Sequence, residues 1–171
     1  MNIATSTADR AFSLWLCFER ALIRGLDRFA ARFGPARNRP SHLRTGIRGE
    51  NEALFFLRGQ GYTIVARRWR CTEERGDLDL VAWDGECLCF IEVKARTARD
   101  MSPAESSIDR EKQRALQAMA NAFMRRMPRD ERENLIVRFD AVSVYLLPHA
   151  VECELERDAF ALYPLRSKPP R

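Results

Sequence analysis

Long apolar runs are absent from the sequence. The longest uncharged stretch near its start, Ala11–Phe18, is far shorter than the roughly 18 apolar residues of a membrane-spanning helix. Charged residues bound this stretch, because Asp9 and Arg10 precede it and Glu19 and Arg20 follow it. A secretory signal needs a longer uninterrupted apolar core. We therefore expect neither a membrane span nor a secretory signal.

Histidine is scarce, and the cysteines show no metal-binding spacing. The chain has two His and five Cys, and no two cysteines form a CxxC pair. Neither His42 nor His149 lies at zinc-ligand spacing from a cysteine. The odd, scattered cysteines are typical of reduced thiols in a cytoplasm. We therefore predict a cytoplasmic protein without zinc or disulfides.

Excess positive charge is confined to the first part of the chain. The 171 residues carry a net charge of +5, and 46% of them are hydrophobic, enough for one globular domain with a core. Residues 1–49 hold nine Arg against three acidic residues, a net charge of +6, which leaves −1 for residues 50–171. This balance excludes a protein that coats nucleic acid uniformly. Any contact with DNA must be local and sensitive to salt.

Residues 1–40 are predicted to be a basic N-terminal extension and linker. Apolar residues at helical spacing alternate with arginines over residues 11–33, and Gly34-Pro35 ends the pattern. Such a basic amphipathic helix can bind a partner or an anionic membrane surface. Two alternatives are a helix that docks on its own domain and an extension with little order. The domain itself is predicted over residues 41–165, with a tail at 166–171.

The domain pattern predicts an α/β fold with one mixed sheet in the order α-β-β-β-α-β and an optional final strand. In the first helix, one face carries Leu43, Ile47, Leu54 and Leu57, and Gly59–Gly61 ends it. Strands are predicted over Tyr62–Trp69, Asp77–Trp83, Glu86–Lys94 and Leu135–Leu146, with a short one over Val151–Leu155. Asp84-Gly85 predicts a type I′ turn, and Ser106 or Ser107 a cap for the second helix.

Four charged side chains are predicted on one face of the central hairpin: Asp77, Asp79, Glu92 and Lys94. A turn at Asp84-Gly85 places Asp77 opposite Glu92, with Asp79 diagonal to Glu92 and close enough to share a cation. The first helix adds Glu50 on its buried face, whereas Glu52 points to the opposite, solvated side.

Carboxylates and a lysine that converge from separate elements suit phosphodiester hydrolysis with a divalent metal. Asp79 and Glu92 offer the hard oxygen ligands that Mg²⁺ or Mn²⁺ prefers. Lys94 would orient the attacking water or stabilise developing charge. The alternative is a salt-bridged cluster at the strand end, with Lys94 paired to Glu92.

Five motifs follow in order: Gly-Ile-Arg-Gly-Glu-Asn-Glu-Ala (46–53), Gly76–Val81, Phe90–Arg96, Glu111–Arg114 and Arg138–Asp140. Their sequence resembles the YraN family of small bacterial proteins, within the PD-(D/E)xK superfamily of restriction enzymes and archaeal Holliday-junction resolvases. The resemblance runs from about Gly46 to Phe160. It departs from the family pattern at Asp77, where Glu is usual, and at Ala95, where Thr is common.

The resemblance implies a restriction endonuclease-like three-layer fold and a metal-dependent nuclease that acts on DNA, either branched or single-stranded. The catalytic residues implied are Glu50, Asp79, Glu92, Lys94 and Gln113. The metal ligands implied are Asp79, Glu92 and the carbonyl of Val93. A homodimer is a further expectation, because junction-cutting relatives work as dimers. Two alternatives are a non-catalytic nucleic-acid-binding module and an interaction protein recruited through its N-terminal helix.

Basic residues near the hairpin are candidates for DNA contact. Arg67, Arg68, Trp69 and Arg70 could hold phosphates and stack a base, or form the solvated edge of a strand. Arg96, in the stretch after Lys94, could also meet a phosphate. Arg138 and Asp140 share a strand face and are predicted to pair with each other.

Overall fold

The computed structural model describes residues 41–99 and 110–160. They form a five-stranded sheet with a long helix on each face, which confirms the three-layer α/β architecture. The elements are α1 (Ser41–Gly59), β1 (Thr63–Trp69), β2 (Leu78–Asp84), β3 (Cys87–Arg96), α2 (Arg110–Met124), α3 (Arg129–Arg132), β4 (Ile136–Leu146) and β5 (Val151–Glu156). The N-terminal extension, the proposed cap at Ser106 or Ser107 and the tail at 166–171 lie outside the described residues.

Helix α1 ends where the glycines of the sequence predict. Gly61 has a φ of +92°, and the amide of Tyr62 donates to the carbonyl of Leu57 at 3.0 Å. These are the marks of a Schellman motif, which satisfies the last carbonyls of a helix and reverses the chain. The turn leads the chain directly into β1.

Two predictions about which side chains of α1 are exposed are wrong. Glu52 is 2% exposed instead of solvated, and Leu43 is 49% exposed instead of buried. Residues 49–55 are all buried, whereas residues 43–48 are exposed or half-buried. Because α1 is covered all round in its middle and uncovered near its start, helical periodicity does not identify a solvated face there.

The strands lie in the order β1-β2-β3-β4-β5, parallel between β3 and β4 and antiparallel elsewhere. Asp84 pairs with Cys87, so the hairpin turn is Gly85-Glu86 instead of Asp84-Gly85. Only Gly85 has a positive φ in this turn, which fits type II′ and not the predicted type I′. The observed turn shifts the register by two residues, an even step that keeps the side chains of β3 on their predicted faces. In β2, Leu78 packs with Val81 and Phe90 under α2 instead of with Leu80 under α1.

The core lies on both faces of the sheet. Under α1, Leu57 packs with Leu80, Ile91 and Val142. Under α2, Leu116 and Met119 pack with strand residues that include Phe90 and Phe139, whose ring centroids are 5.6 Å apart. Because alternate residues of β3 serve the two cores, Glu92 falls on the α2 face with Phe90.

An ion-pair network built around the buried Asp140 joins the hairpin to β4. Arg138 donates to both oxygens of Asp140, at 2.7 and 3.0 Å, and to Asp84 at 2.7 Å. The amide of Asp158 also donates to Asp140, whose residue exposure is 0%. The predicted pairing of Arg138 with Asp140 is confirmed. This bidentate contact holds the pKa of Arg138 above its ordinary value.

No helix within the described ranges is long and apolar enough to cross a membrane. The four cysteines in these ranges, Cys71, Cys87, Cys89 and Cys153, are free thiols.

Candidate active site

Two carboxylates face each other across the β2–β3 hairpin. The β2–β3 pairing ends at Leu80 and Ile91, and its register puts Asp79 and Glu92, the next residue outward on each strand, opposite each other instead of diagonal as predicted. Asp79 Oδ2 also accepts a hydrogen bond from the amide of Val93 at 2.8 Å, which fixes the carboxylate beside β3.

Burial raises the pKa of both carboxylates. Burial, together with the negative charge of Glu92, raises the pKa of Asp79 to about 7. Burial also raises the pKa of Glu92, against the opposing effect of Lys112. Within the described part of the chain, the buried Oε2 of Glu92 has no hydrogen-bond partner. A site with two desolvated carboxylates and an unsatisfied oxygen favours an added cation.

Lys112 of α2 partly neutralises the negative charge of the acid pair. Its Nζ lies 3.2 Å from Glu92 Oε1. Sequence reasoning gave Lys112 no role, although it lies in the Glu111–Arg114 motif, one residue before the predicted catalytic Gln113. The motif therefore pointed to this part of α2, but only the packing of α2 on the sheet shows which acid Lys112 contacts.

Glu50 approaches from α1, on the other side of the sheet. The helix comes very close to β3 there, since a Cβ on Gly49 would overlap the Cβ of Ala95. Glycine at this position thus lets the next residue lie against the sheet. The negative charge of Glu50 contributes to the raised pKa of Asp79.

Arg68 holds Glu50 through two hydrogen bonds, of 2.6 and 2.8 Å. Its backbone φ of +47° lies in the left-handed region, which costs a non-glycine residue about 1–2 kcal/mol. Strain of this kind persists where the surrounding contacts compensate for it. The bidentate pair, which raises the pKa of Arg68, is such a contact.

The remaining predicted catalytic residues, Lys94 and Gln113, lie on β3 and α2. Lys94 is half-buried and lies two residues beyond Glu92 on β3, on the same face by strand alternation. Gln113 borders a cleft of about 460 Å³ together with Arg110, Arg114 and Gln117. Asp77, in contrast, pairs with Arg70 at 3.0 Å.

The predicted basic patch is largely engaged with neighbouring residues. Arg67 donates to Asn51 at 2.5 Å, while Arg68 and Arg70 pair with acids as described above. Trp69 makes an edge contact with Phe123 at 5.2 Å between centroids, and the guanidinium of Arg126 lies over its ring at 4.9 Å. Arg96 is half-buried at the end of β3. An incoming phosphate would therefore meet arginines that already have partners.

The acid pair fits a small hard cation that is held by two carboxylates and not by three. No group of three His, Cys, Asp or Glu side chains in residues 41–99 and 110–160 is placed to hold a metal ion. Mg²⁺ commonly takes one or two carboxylates and completes its shell with water and phosphate oxygens. Asp79 and Glu92 offer two such carboxylates, while Arg68 holds Glu50 as a separate pair.

Comparison with known proteins gives the family. A model described as "Uncharacterised protein family UPF0102" matches residues 49–144, a range that contains all five predicted catalytic residues. A UPF0102 protein of Koribacter versatilis (strain Ellin345) is 44% identical over 128 residues, which cover 75% of this chain and 87% of the relative. One from Solibacter usitatus (strain Ellin6076) is 40% identical over 139 residues, 81% of this chain and 97% of the relative. The chain therefore belongs to the UPF0102 family, in agreement with its resemblance to YraN proteins.

Proposed function

We propose that this protein is a divalent-metal-dependent nuclease of the cytoplasm that hydrolyses phosphodiester bonds in DNA, with branched or single-stranded DNA as its substrate. The main support is the opposed pair Asp79 and Glu92, whose charges are buried together and whose geometry suits one shared cation. The PD-(D/E)xK resemblance of the surrounding motifs points to the same chemistry.

Asp79, Glu92 and the carbonyl of Val93 would hold Mg²⁺ or Mn²⁺. When bound, such a cation supplies Lewis acidity and a water of lowered pKa. Asp79 is oriented for this role by its hydrogen bond from the Val93 amide. Lys94 would orient the attacking water or balance the charge that develops on the phosphate. Gln113, on the adjoining helix, would orient the DNA backbone next to the scissile bond.

DNA contact in this proposal is restricted to the surroundings of the acid pair. Arg110 and Arg114 border the cleft on α2, and Arg67, Arg70 and Arg96 lie near the corresponding end of the sheet. A homodimer would bring two such sites to one branched substrate. The molar mass of the protein in solution, measured with and without a four-way junction, tests for this homodimer.

The decisive experiment is cleavage of labelled duplex, single-stranded, flapped and four-way-junction DNA in Mn²⁺, Mg²⁺ or EDTA. Asp79→Asn and Glu92→Gln should each reduce the cleavage rate by at least about 100-fold, since each removes the charge of one of the two metal ligands. Glu133→Gln is the matched control, because Glu133 is an exposed acid on the surface beside α3. Cutting that survives in either site variant, or that persists in EDTA, would refute the proposal.

A non-catalytic nucleic-acid-binding module is the second candidate. One observation favours it: Arg68 already neutralises Glu50, so the acid from α1 is withheld from a three-carboxylate site. In that case DNA binding would be unaffected by metal, by Asp79→Asn and by Glu92→Gln. A nuclease, in contrast, should bind Mn²⁺ and lose that binding in both variants.

A further inference from the structure

Lys112 and Glu92 form an unequal ion pair. The side chain of Glu92 is 11% exposed, whereas that of Lys112 is 42% exposed and reaches the site from α2. The ammonium approaches Oε1, while Oε2 is buried without a hydrogen-bond partner among the described residues. This lysine therefore balances the charge of Glu92 without satisfying both of its oxygens.

The ion pair at Glu50 is of a different kind. There a planar guanidinium engages both carboxylate oxygens, at 2.6 and 2.8 Å. A bidentate pair is geometrically specific and hard to replace, whereas an ammonium is a point charge on a flexible stem. Of the two acids, Glu92 is the one whose counter-ion can leave.

We propose that Lys112 is a displaceable counter-ion that couples metal binding to DNA binding. In the metal-free protein its ammonium stays on Glu92; when a divalent cation takes this carboxylate, the ammonium turns outward to a DNA phosphate. This inference rests on the proposed nuclease site. It adds a second lysine to that site, on a different element from Lys94 and with a different role.

The exchange makes the two binding events help each other. A phosphate that attracts the ammonium of Lys112 leaves Glu92 more available to a metal ion, and a bound metal ion leaves the ammonium more available to phosphate. Thermodynamic linkage requires both effects to have the same size. DNA should therefore tighten metal binding by the same factor by which the metal tightens DNA binding.

The test measures Mn²⁺ affinity of the full chain without DNA, by calorimetry and by the electron paramagnetic resonance of free Mn²⁺. Lys112→Met should bind Mn²⁺ about tenfold more tightly than wild type, because a competing charge is gone. Lys112→Arg should bind it less tightly, since a guanidinium can hold both oxygens of Glu92. Arg129→Met is the matched control, because it removes an equal charge from a side chain that is 86% exposed.

A second readout follows DNA. With Ca²⁺, which takes the same class of oxygen ligands, binding of a fluorescent four-way junction is measured against salt concentration. Lys112→Met should lower the slope of log affinity against log salt by about 1, the value for one phosphate contact. Metal-free protein should show no such difference between Lys112→Met and wild type.

The outcomes are distinguishable. Unchanged or weaker Mn²⁺ binding in Lys112→Met overturns the role of Lys112 but leaves the nuclease proposal intact, provided that Glu92→Gln still loses the metal. Absence of Mn²⁺ binding in wild type overturns both proposals. Tighter binding in Lys112→Met, weaker binding in Lys112→Arg and no change in Arg129→Met support the exchange.

Discussion

Neutralising Asp79 should stabilise the metal-free protein, although it should destroy the proposed activity. The pKa of this carboxyl rises from 3.8 to about 7 on folding. Between these values the native state keeps a proton that the unfolded state releases, so stability falls as the pH rises. Asp79→Asn removes this titration, and the amide oxygen can still accept the hydrogen bond from Val93.

The expected gain follows from the size of the pKa change. A rise from 3.8 to about 7 corresponds to about 4 kcal/mol at neutral pH and above. Water that reaches the half-buried side chain reduces this, so we expect Asp79→Asn to gain about 2–4 kcal/mol at pH 8. At pH 5 the difference should shrink, since wild-type Asp79 is then largely protonated in the folded protein.

Urea unfolding at pH 5 and pH 8, monitored by tryptophan fluorescence, measures this difference. Added Mn²⁺ should reverse it at pH 8, since the ion stabilises the native wild type and not the variant. Glu133→Gln, which changes an exposed acid, should shift neither value. If Asp79→Asn is less stable than wild type at pH 8 without metal, the two carboxylates are not in electrostatic conflict and the reasoning fails.

Three further variants, and one control, test the surrounding structure. Gly49→Ala should destabilise the fold by about 1–3 kcal/mol and lower activity in cleavage assays, because the new methyl group displaces α1 from β3; Gly46→Ala, with open space around it, should be neutral or slightly stabilising by thermal melting. Arg138→Met should cost about 3–5 kcal/mol in urea unfolding, because it leaves Asp140 as an uncompensated buried charge. Arg68→Lys keeps the charge but loses the planar guanidinium that donates to both oxygens of Glu50. It should lower the unfolding free energy by about 1–2 kcal/mol. An unchanged value would show that the bidentate pair does not hold the strained backbone.

The acid pair could be predicted from sequence because strand alternation is insensitive to the turn. The predicted turn was wrong by one residue, which moved the register by two. Asp79 and Glu92 nevertheless stayed neighbours, since Asp79 accepts a hydrogen bond from the amide of Val93, the residue after Glu92. Both possible turns place Gly85 at a central position, so composition alone does not separate them.

The contacts of the acids could not be predicted in the same way. Whether Lys112 meets Glu92 depends on where α2 crosses the sheet, and this follows from the packing of apolar side chains over both elements. Similarly, the burial of Glu52 reflects coverage of α1 from several sides, which no periodic pattern in the helix encodes. Periodicity describes one element at a time, while these features belong to pairs of elements.

The network around Asp140 makes the order of synthesis matter for folding. Tyr62, which also donates to Asp140, precedes it by 78 residues, and the amide of Asp158 follows it by 18. A nascent chain that ends before residue 158 therefore lacks one donor to a fully buried carboxylate, and one that ends before β5 leaves the edge of β4 unpaired. Such an edge invites pairing with other chains. Ribosomes that stall at the end of β4 should thus release an aggregation-prone product, whereas synthesis of the next twelve residues, 147–158, closes both the edge and the network.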